Sequence, residues 1–188
     1  MSQSLVDLIC HRVSFPRLGL PAPDSKVLAR VYRSALRAPD HMRLRPWRYL
    51  LVEGRARMTL GDLFCDAAER DDPDLTGNQR QKFRDMPMRA PVIVIAVSTN
   101  IEHPKVPVQE QVISCGVGIG YMLLALQAEG FGGVWRTGPL AENSCVKDGL
   151  GIARHESLVG FLYLGTPESS AKAIPDLDVD NFFKPWIP

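Results

Sequence analysis

The segment Pro107-Val-Gln-Glu-Gln-Val-Ile-Ser-Cys-Gly-Val-Gly-Ile-Gly-Tyr-Met-Leu-Leu-Ala-Leu-Gln-Ala-Glu129 reads as one long helix. A proline stands near its first turn and Gly130 follows its end, the usual punctuation of a helix. From Val112 to Leu126 it is apolar nearly all round, and such a helix needs cover on every side. In a chain of 188 residues a second subunit is expected to supply part of that cover.

Outward from this helix the chain mixes helices with a few strands. Upstream, Pro91–Ser98 (PVIVIAVS) is apolar without alternation, as in a strand buried on both faces. Before it, Tyr49–Glu53 reads as a strand, Arg55–Glu69 as a helix and Asn78–Asp85 as a short helix. Asp71–Gly77 is polar, holds Pro73, and reads as a loop or mobile lid. Asp24 or Ser25 caps a helix to about Arg37, with Val27, Leu28, Val31, Ala35 and Leu36 spaced for burial and Pro39 ending it. Ser4 caps a first helix with Leu5, Leu8 and Ile9 on one face, ending near Arg12 to Val13, and Gly19–Pro23 is a connector. Downstream, Gly133–Thr137 and Leu158–Leu164 (LVGFLYL) are strands, with a short helix from about Asn143 to Leu150 between them. This mixture predicts a single α/β or α+β domain over residues 1–188, built around one central sheet.

Composition narrows the function classes. Hydrophobic residues make up 45% and charged residues 23%, with a formal net charge of +1. No global field draws the chain to nucleic acid or to an acidic membrane. Met1 to Arg17 has no long apolar run and carries Asp7, unlike a secretory signal, and no stretch holds about 20 consecutive apolar residues. A cytoplasmic protein is expected. Cys10, Cys65, Cys115 and Cys145 are scattered without a Cys-x-x-Cys pair, so all four read as reduced thiols, mostly packing residues. His41, His103 and His155 lack zinc spacing, and no metal site is expected.

Three clusters carry chemistry. His11-Arg12 ends the first helix; basic residues favour helix ends, and a guanidinium also forks onto phosphate. Arg37-Ala-Pro-Asp-His41 and Arg45-Pro-Trp-Arg-Tyr49 set four arginines, counting Arg43, and one imidazole around two aromatics. That turn is either a solvated basic loop or a site for an anion and a ring. Gly130-Phe-Gly-Gly-Val-Trp-Arg-Thr-Gly138 lets backbone approach a flat ligand closely, although a helix cap also explains Gly130 and Gly132. Gly116-Val-Gly-Ile-Gly120 is discounted as a dinucleotide loop: Tyr121 stands at the final glycine position, and the run lies inside a helix, where close helix packing explains it better. Asp40-His41 with Cys115 or a serine makes no hydrolase, because no G-x-S-x-G elbow occurs.

Together the clusters resemble the nitroreductase family of FMN enzymes. The likeness is carried in family order by the strings just quoted, with Lys105-Val-Pro107 and Val159-Gly-Phe-Leu-Tyr-Leu-Gly-Thr-Pro167. The resemblance implies an α+β fold, with a mixed, mainly antiparallel central sheet flanked by helices. It implies an intertwined homodimer with FMN at the subunit interface, and NAD(P)H as co-substrate. By position it implies that His11, Arg12 and Val13 contact the flavin phosphate and ribityl chain. Arg37 and His41 would come from the partner subunit, and Trp135, Arg136 and Thr137 would line the flavin. Electrons would pass in ping-pong order through flavin N5 to a nitroaromatic, quinone or similar acceptor, with no catalytic protein residue. The chain also departs from the family pattern. His11-Arg12-Val13 stands for a common Arg-Arg-Ser, with Ser14 adjacent. Arg45, with Arg43 close by, stands where a neutral residue precedes Pro-Trp, which would strengthen anion binding or change acceptor choice.

Two other classes fit some of these residues. One is a flavin or nucleotide binding module without turnover. The other is a single-stranded nucleic-acid binder using Arg43, Arg45, Trp47, Arg48 and Tyr49, which the near-neutral charge argues against.

Overall fold

A computed structural model describes residues 4–187; Met1 to Gln3, part of the amino-terminal stretch read above, lie outside it. In chain order come α1 (Leu5–Cys10), β1 (Leu18–Gly19), α2 (Ser25–Ala35), a 3-10 turn at His41–Arg43, β2 (Arg48–Glu53), α3 (Ala56–Asp71) and α4 (Gly77–Arg84). A 3-10 turn at Met86–Arg89 leads to β3 (Val92–Thr99), α5 (Val108–Ala128), β4 (Gly132–Arg136), α6 (Pro139–Glu142), α7 (Ser144–Gly149) and β5 (Glu156–Pro167).

β3 explains the sheet. Its eight residues are β-branched or small and nearly all are buried. Ile93, Ile95 and Val97 face one layer, with Phe64 of α3, Phe161 and Tyr163. Val92, Val94 and Ala96 face the other, with Val31 of α2 and Cys115, Ile119, Met122 and Leu126 of α5. The spatial order is β2–β3–β5–β4, every pairing antiparallel, with β1 against the far end of β5. Helices therefore flank a central antiparallel sheet, as the family resemblance implied. Phe64 and Phe161 meet edge to face, ring centroids 5.3 Å apart at 84°. Across β3, Arg48 clamps Glu156 with two bonds, Nε to Oε1 at 2.7 Å and Nη2 to Oε2 at 2.6 Å. Cys65, Cys115 and Cys145 are buried free thiols, whereas Cys10 is exposed.

α5 fills the reading made of it. Its inner face packs on the sheet and on α2, and the buried Gln111 amide bonds Ile101 and Val106. Gly118 is there for close packing: a Cβ would stand 2.7 Å from Tyr49 Oη and 3.2 Å from the Ala35 carbonyl. By length and composition the helix is also long and apolar enough to cross a membrane. Val108 and Ile113 on its outer face are 49% and 56% exposed.

Some expectations shift. α1 stops at Cys10, because the His11 N–H turns back to Asp7 and Ile9 carbonyls as a cap. Its Leu5 and Ile9 are exposed, since nothing in the same chain lies over that face. α2 ends at Ala35, so Leu36 becomes its cap and swings outward. The Gly19–Pro23 connector begins inside the two-residue β1, held by pairing with Thr166 and Pro167 rather than by local propensity. After β5 the chain runs exposed from 168 to 187, with a single 3-10 turn at Val179–Asn181. Leu177, Phe182, Phe183 and Trp186 on it are all more than 60% exposed.

Candidate functional site

The site forms at the β4 edge of the sheet. Residues 11–17 run beside β4: the Phe15 N–H donates to Gly133 O at 3.2 Å, and Arg136 Nη2 donates to Pro16 O at 3.2 Å. Gln127 of α5 holds the preceding helix by donating to Leu8 O at 3.2 Å. His11 Nδ1 donates to Asp7 O at 2.7 Å, which leaves Nε2 outward. Arg12 donates to Ser14 Oγ at 3.3 Å, and Val13 is half-buried. The loop that follows the first sequence cluster thus runs beside the third.

Strand alternation divides Trp135 from Arg136. Trp135 lies on the α5 side, its Nε1–H donating to Val159 O at 3.2 Å. There it borders a cleft with Val112, Ile113, Gly116 and Val117. Arg136 lies on the α3 side, its guanidinium 5.6 Å from the centroid of the Tyr163 ring. Burial pushes the Tyr163 hydroxyl up to about 12, against the pull of Arg136 and Arg89. Arg136 Nε is buried without a hydrogen-bond partner among the described residues. A buried donor left unpaired is costly, so it marks a place where a ligand oxygen fits.

Arg136, Thr137 and Tyr163 line a cavity of about 440 Å³ whose other walls include Leu75, Phe83, Met86 and Leu140. Asp71 and Asp72, at the start of the polar loop, sit on its rim. Arg89 also borders a second, polar cavity of about 550 Å³ with Arg17, Lys82, Asn78, Gln81, Asp85 and Glu168. The pair adjoins through Arg89, one largely apolar and one rich in cations. That combination suits a ligand with a flat ring and an anionic tail. Gly138 closes β4 at φ +91° with open space around it, leaving its backbone approachable from that side. Arg17, Lys82 and Arg89 were not singled out in the sequence. They come from a loop, a helix and a turn, and no fixed spacing links them before the sheet assembles. Among the described residues no three His, Cys, Asp or Glu gather as a metal site.

The second cluster lies elsewhere in the chain. Arg37 is exposed just beyond α2. His41 Nδ1 stands 2.9 Å from Glu110 Oε2, in the first turn of α5. The Asp40 carboxylate accepts the Leu44 N–H at 3.1 Å and the Arg45 N–H at 2.7 Å. Among the described residues, no hydrogen bond or ion pair joins Arg37 or His41 to residues 11–13 or 135–137.

An antiparallel sheet between two helical layers, with adjoining apolar and cationic cavities at one sheet edge, defines a class of α+β ligand-binding protein. The chain belongs to the nitroreductase family: the family model, described as "Nitroreductase family", matches residues 20–166. It is 37% identical over 177 residues to "Putative NAD(P)H nitroreductase YdjA" of Escherichia coli (strain K12), covering 91% of this chain and 94% of that one. The solved nitroreductase-like family protein from Bacillus cereus superposes with a TM-score of 0.84 at 20% identity, covering 99% of this chain and 97% of that one. The FMN and NADPH-dependent nitroreductase NfnB from sphigopyxis sp. strain HMH superposes with a TM-score of 0.78 at 18% identity, covering 99% and 100%. At those identities the two structures establish the fold.

Proposed function

We propose that this chain is a cytoplasmic, single-domain, FMN-dependent oxidoreductase that takes electrons from NAD(P)H and passes them to nitroaromatic, quinone or similar unsaturated acceptors in ping-pong order. The observation that carries this reading is the buried, unpartnered Arg136 Nε beside the adjoining apolar and cationic cavities. FMN, when bound, supplies the electron relay between donor and acceptor. Arg136 offers a fixed positive charge and a free N–H where negative charge grows on reduction. Thr137 and Gly138 offer approachable backbone at the strand end. His11 Nε2 and Arg12, with Arg17, Lys82 and Arg89, offer donors for the phosphate and the ribityl chain. Phe83, Met86 and Leu75 exclude water from the apolar part.

The same reading makes the enzyme a homodimer. Ile113 on α5 and Phe182, Phe183 and Trp186 on the tail need cover that one chain does not give. A second copy supplies it, brings its own Arg37 and His41 to the flavin, and places Trp135 near the shared face.

The test is the visible absorption spectrum of the FMN-reconstituted protein, before and after anaerobic NADPH and then NADH. Retained flavin that bleaches with either donor is the expected outcome. Protein that retains no flavin would overturn the reading. Flavin retained without bleaching would make the chain a binding module.

A further inference from the structure

The turn from Asp40 to Arg45 holds left-handed backbone at three non-glycine residues: Met42 (φ 61°), Arg43 (φ 56°) and Arg45 (φ 49°). Side-chain residues rarely adopt this conformation, and it persists where surrounding bonds enforce it. Here the enforcement is visible. The Asp40 carboxylate grips the N–H groups of Leu44 and Arg45, and His41 is tied to Glu110. Behind the turn, the Thr99 N–H donates to Pro46 O at 3.2 Å.

The side chains this turn displays are the arginines. Arg43, Arg45 and nearby Arg37 are exposed, and none of their guanidinium groups has an ion-pair or hydrogen-bond partner among the described residues. Four other arginines are matched, Arg30 with Glu129, Arg48 with Glu156, Arg80 with Glu69 and Arg84 with Asp62, whereas this turn gathers its arginines within a few residues and pairs none of their side chains with an acid among the described residues. Two acids that bond to the turn are already committed. Asp40 is spent on backbone N–H groups and Glu110 on His41. A braced turn that presents uncompensated guanidinium groups is built to receive an anion.

We propose that Arg43 and Arg45 form an anion-recognition turn that selects acceptors carrying a carboxylate, sulfonate or phosphate beside the reducible group. The proposal rests on the reductase reading above, in which this turn reaches a second copy's flavin along with Arg37 and His41. Asp40 is its positioning residue, fixing the backbone from which both guanidinium groups extend.

The experiment compares 4-nitrobenzoate with neutral 4-nitrobenzamide as acceptors for the FMN-loaded dimer. The reaction read is reduction of the nitro group to nitroso by one NAD(P)H and one proton, releasing NAD(P)+ and water. Wild type is expected to prefer the benzoate, the preference shrinking with added salt. The Arg43→Gln/Arg45→Gln double variant is expected to lower the benzoate-to-benzamide ratio of kcat/KM by about tenfold or more, as loss of charge-assisted bonds does. The Arg43→Lys/Arg45→Lys variant is expected to restore part of it. Asp40→Ala is expected to lower the same ratio with both arginines present, and Asp40→Asn, which keeps one acceptor, to fall between. FMN affinity and the KM for NADPH are measured on every variant.

An equal fall for both acceptors would overturn the proposal and make the turn structural. A weaker FMN affinity in the Gln variant would make flavin phosphate the anion, and a raised KM for NADPH would make it the donor's. Wild type that holds flavin yet reduces neither acceptor overturns this proposal together with the reading beneath it.

Discussion

Replacing Arg48 with Met keeps most of the stem and removes the charge from Glu156. That carboxylate is only 7% exposed and is held down to about 2, from an ordinary 4.5, chiefly by its bonds to Arg48, with the Ala153 N–H assisting. The drop from 4.5 to about 2, at about 1.4 kcal/mol for each tenfold change in proton affinity, corresponds to about 3 kcal/mol. The Arg48 side chain is 33% exposed, so water screens the pair and about 2 kcal/mol is the expected loss at pH 7. The folded-state pKa lies below the unfolded value. The stabilisation is therefore complete above about 4.5 and is lost as pH falls toward about 2. Urea unfolding of wild type and Arg48→Met, at one protein concentration and at steps from neutral to acid pH, reads this directly. The gap between the two is expected to be about 2 kcal/mol at neutral pH and to close across that acid window. A gap that stays constant into acid would refute the electrostatic reasoning and make Arg48 a packing residue.

Two further outcomes are expected. Arg136→Met should lower the flavin midpoint potential by tens of millivolts, on the order of 1 kcal/mol or more of lost charge stabilisation, and weaken FMN binding; an unchanged potential in spectroelectrochemical titration would move that role elsewhere. Truncation after Glu168 removes the exposed Phe182, Phe183 and Trp186 and should shift sedimentation from dimer toward monomer at micromolar concentration, whereas an unchanged dimer would leave the interface to α5 alone.

Much of the fold was legible because it follows from local patterns. β3 announced two-faced burial through its unbroken apolar run, and the structure divides that run between both layers. The glycines at 116, 118 and 120 inside an apolar helix pointed to close packing, and α2 and Tyr49 crowd Gly118, whereas Gly116 meets only Trp135 and Gly120 faces open space. Leu36 was misjudged for a physical reason: helical spacing reports which residues share a face, but not whether anything lies over it. The loop after the first cluster lies beside the third, which no local pattern announced, because Phe15 and Pro16 meet Gly133 and Arg136 only once β4 is in place. That Trp135 and Arg136 point to opposite sides was already contained in the two-residue period of a strand. Arg17, Lys82 and Arg89 were not legible, because their nearness exists only once β1, α4 and β3 have taken their places.

The place of β5 at the middle of the sheet has a consequence for biosynthesis. Of the five strands described it is the last to leave the ribosome, yet β3 and β4 both pair with it. Until Pro167 emerges, those two strands present open edges, and the apolar flank of α5 lacks Leu162 and Leu164 to rest against. A nascent chain of this protein is therefore a half-built sheet with its keystone missing. Such chains pair with the wrong neighbour unless sheltered. Translation rate and chaperone supply, rather than the stability of the finished domain, should govern how much of it accumulates in soluble form.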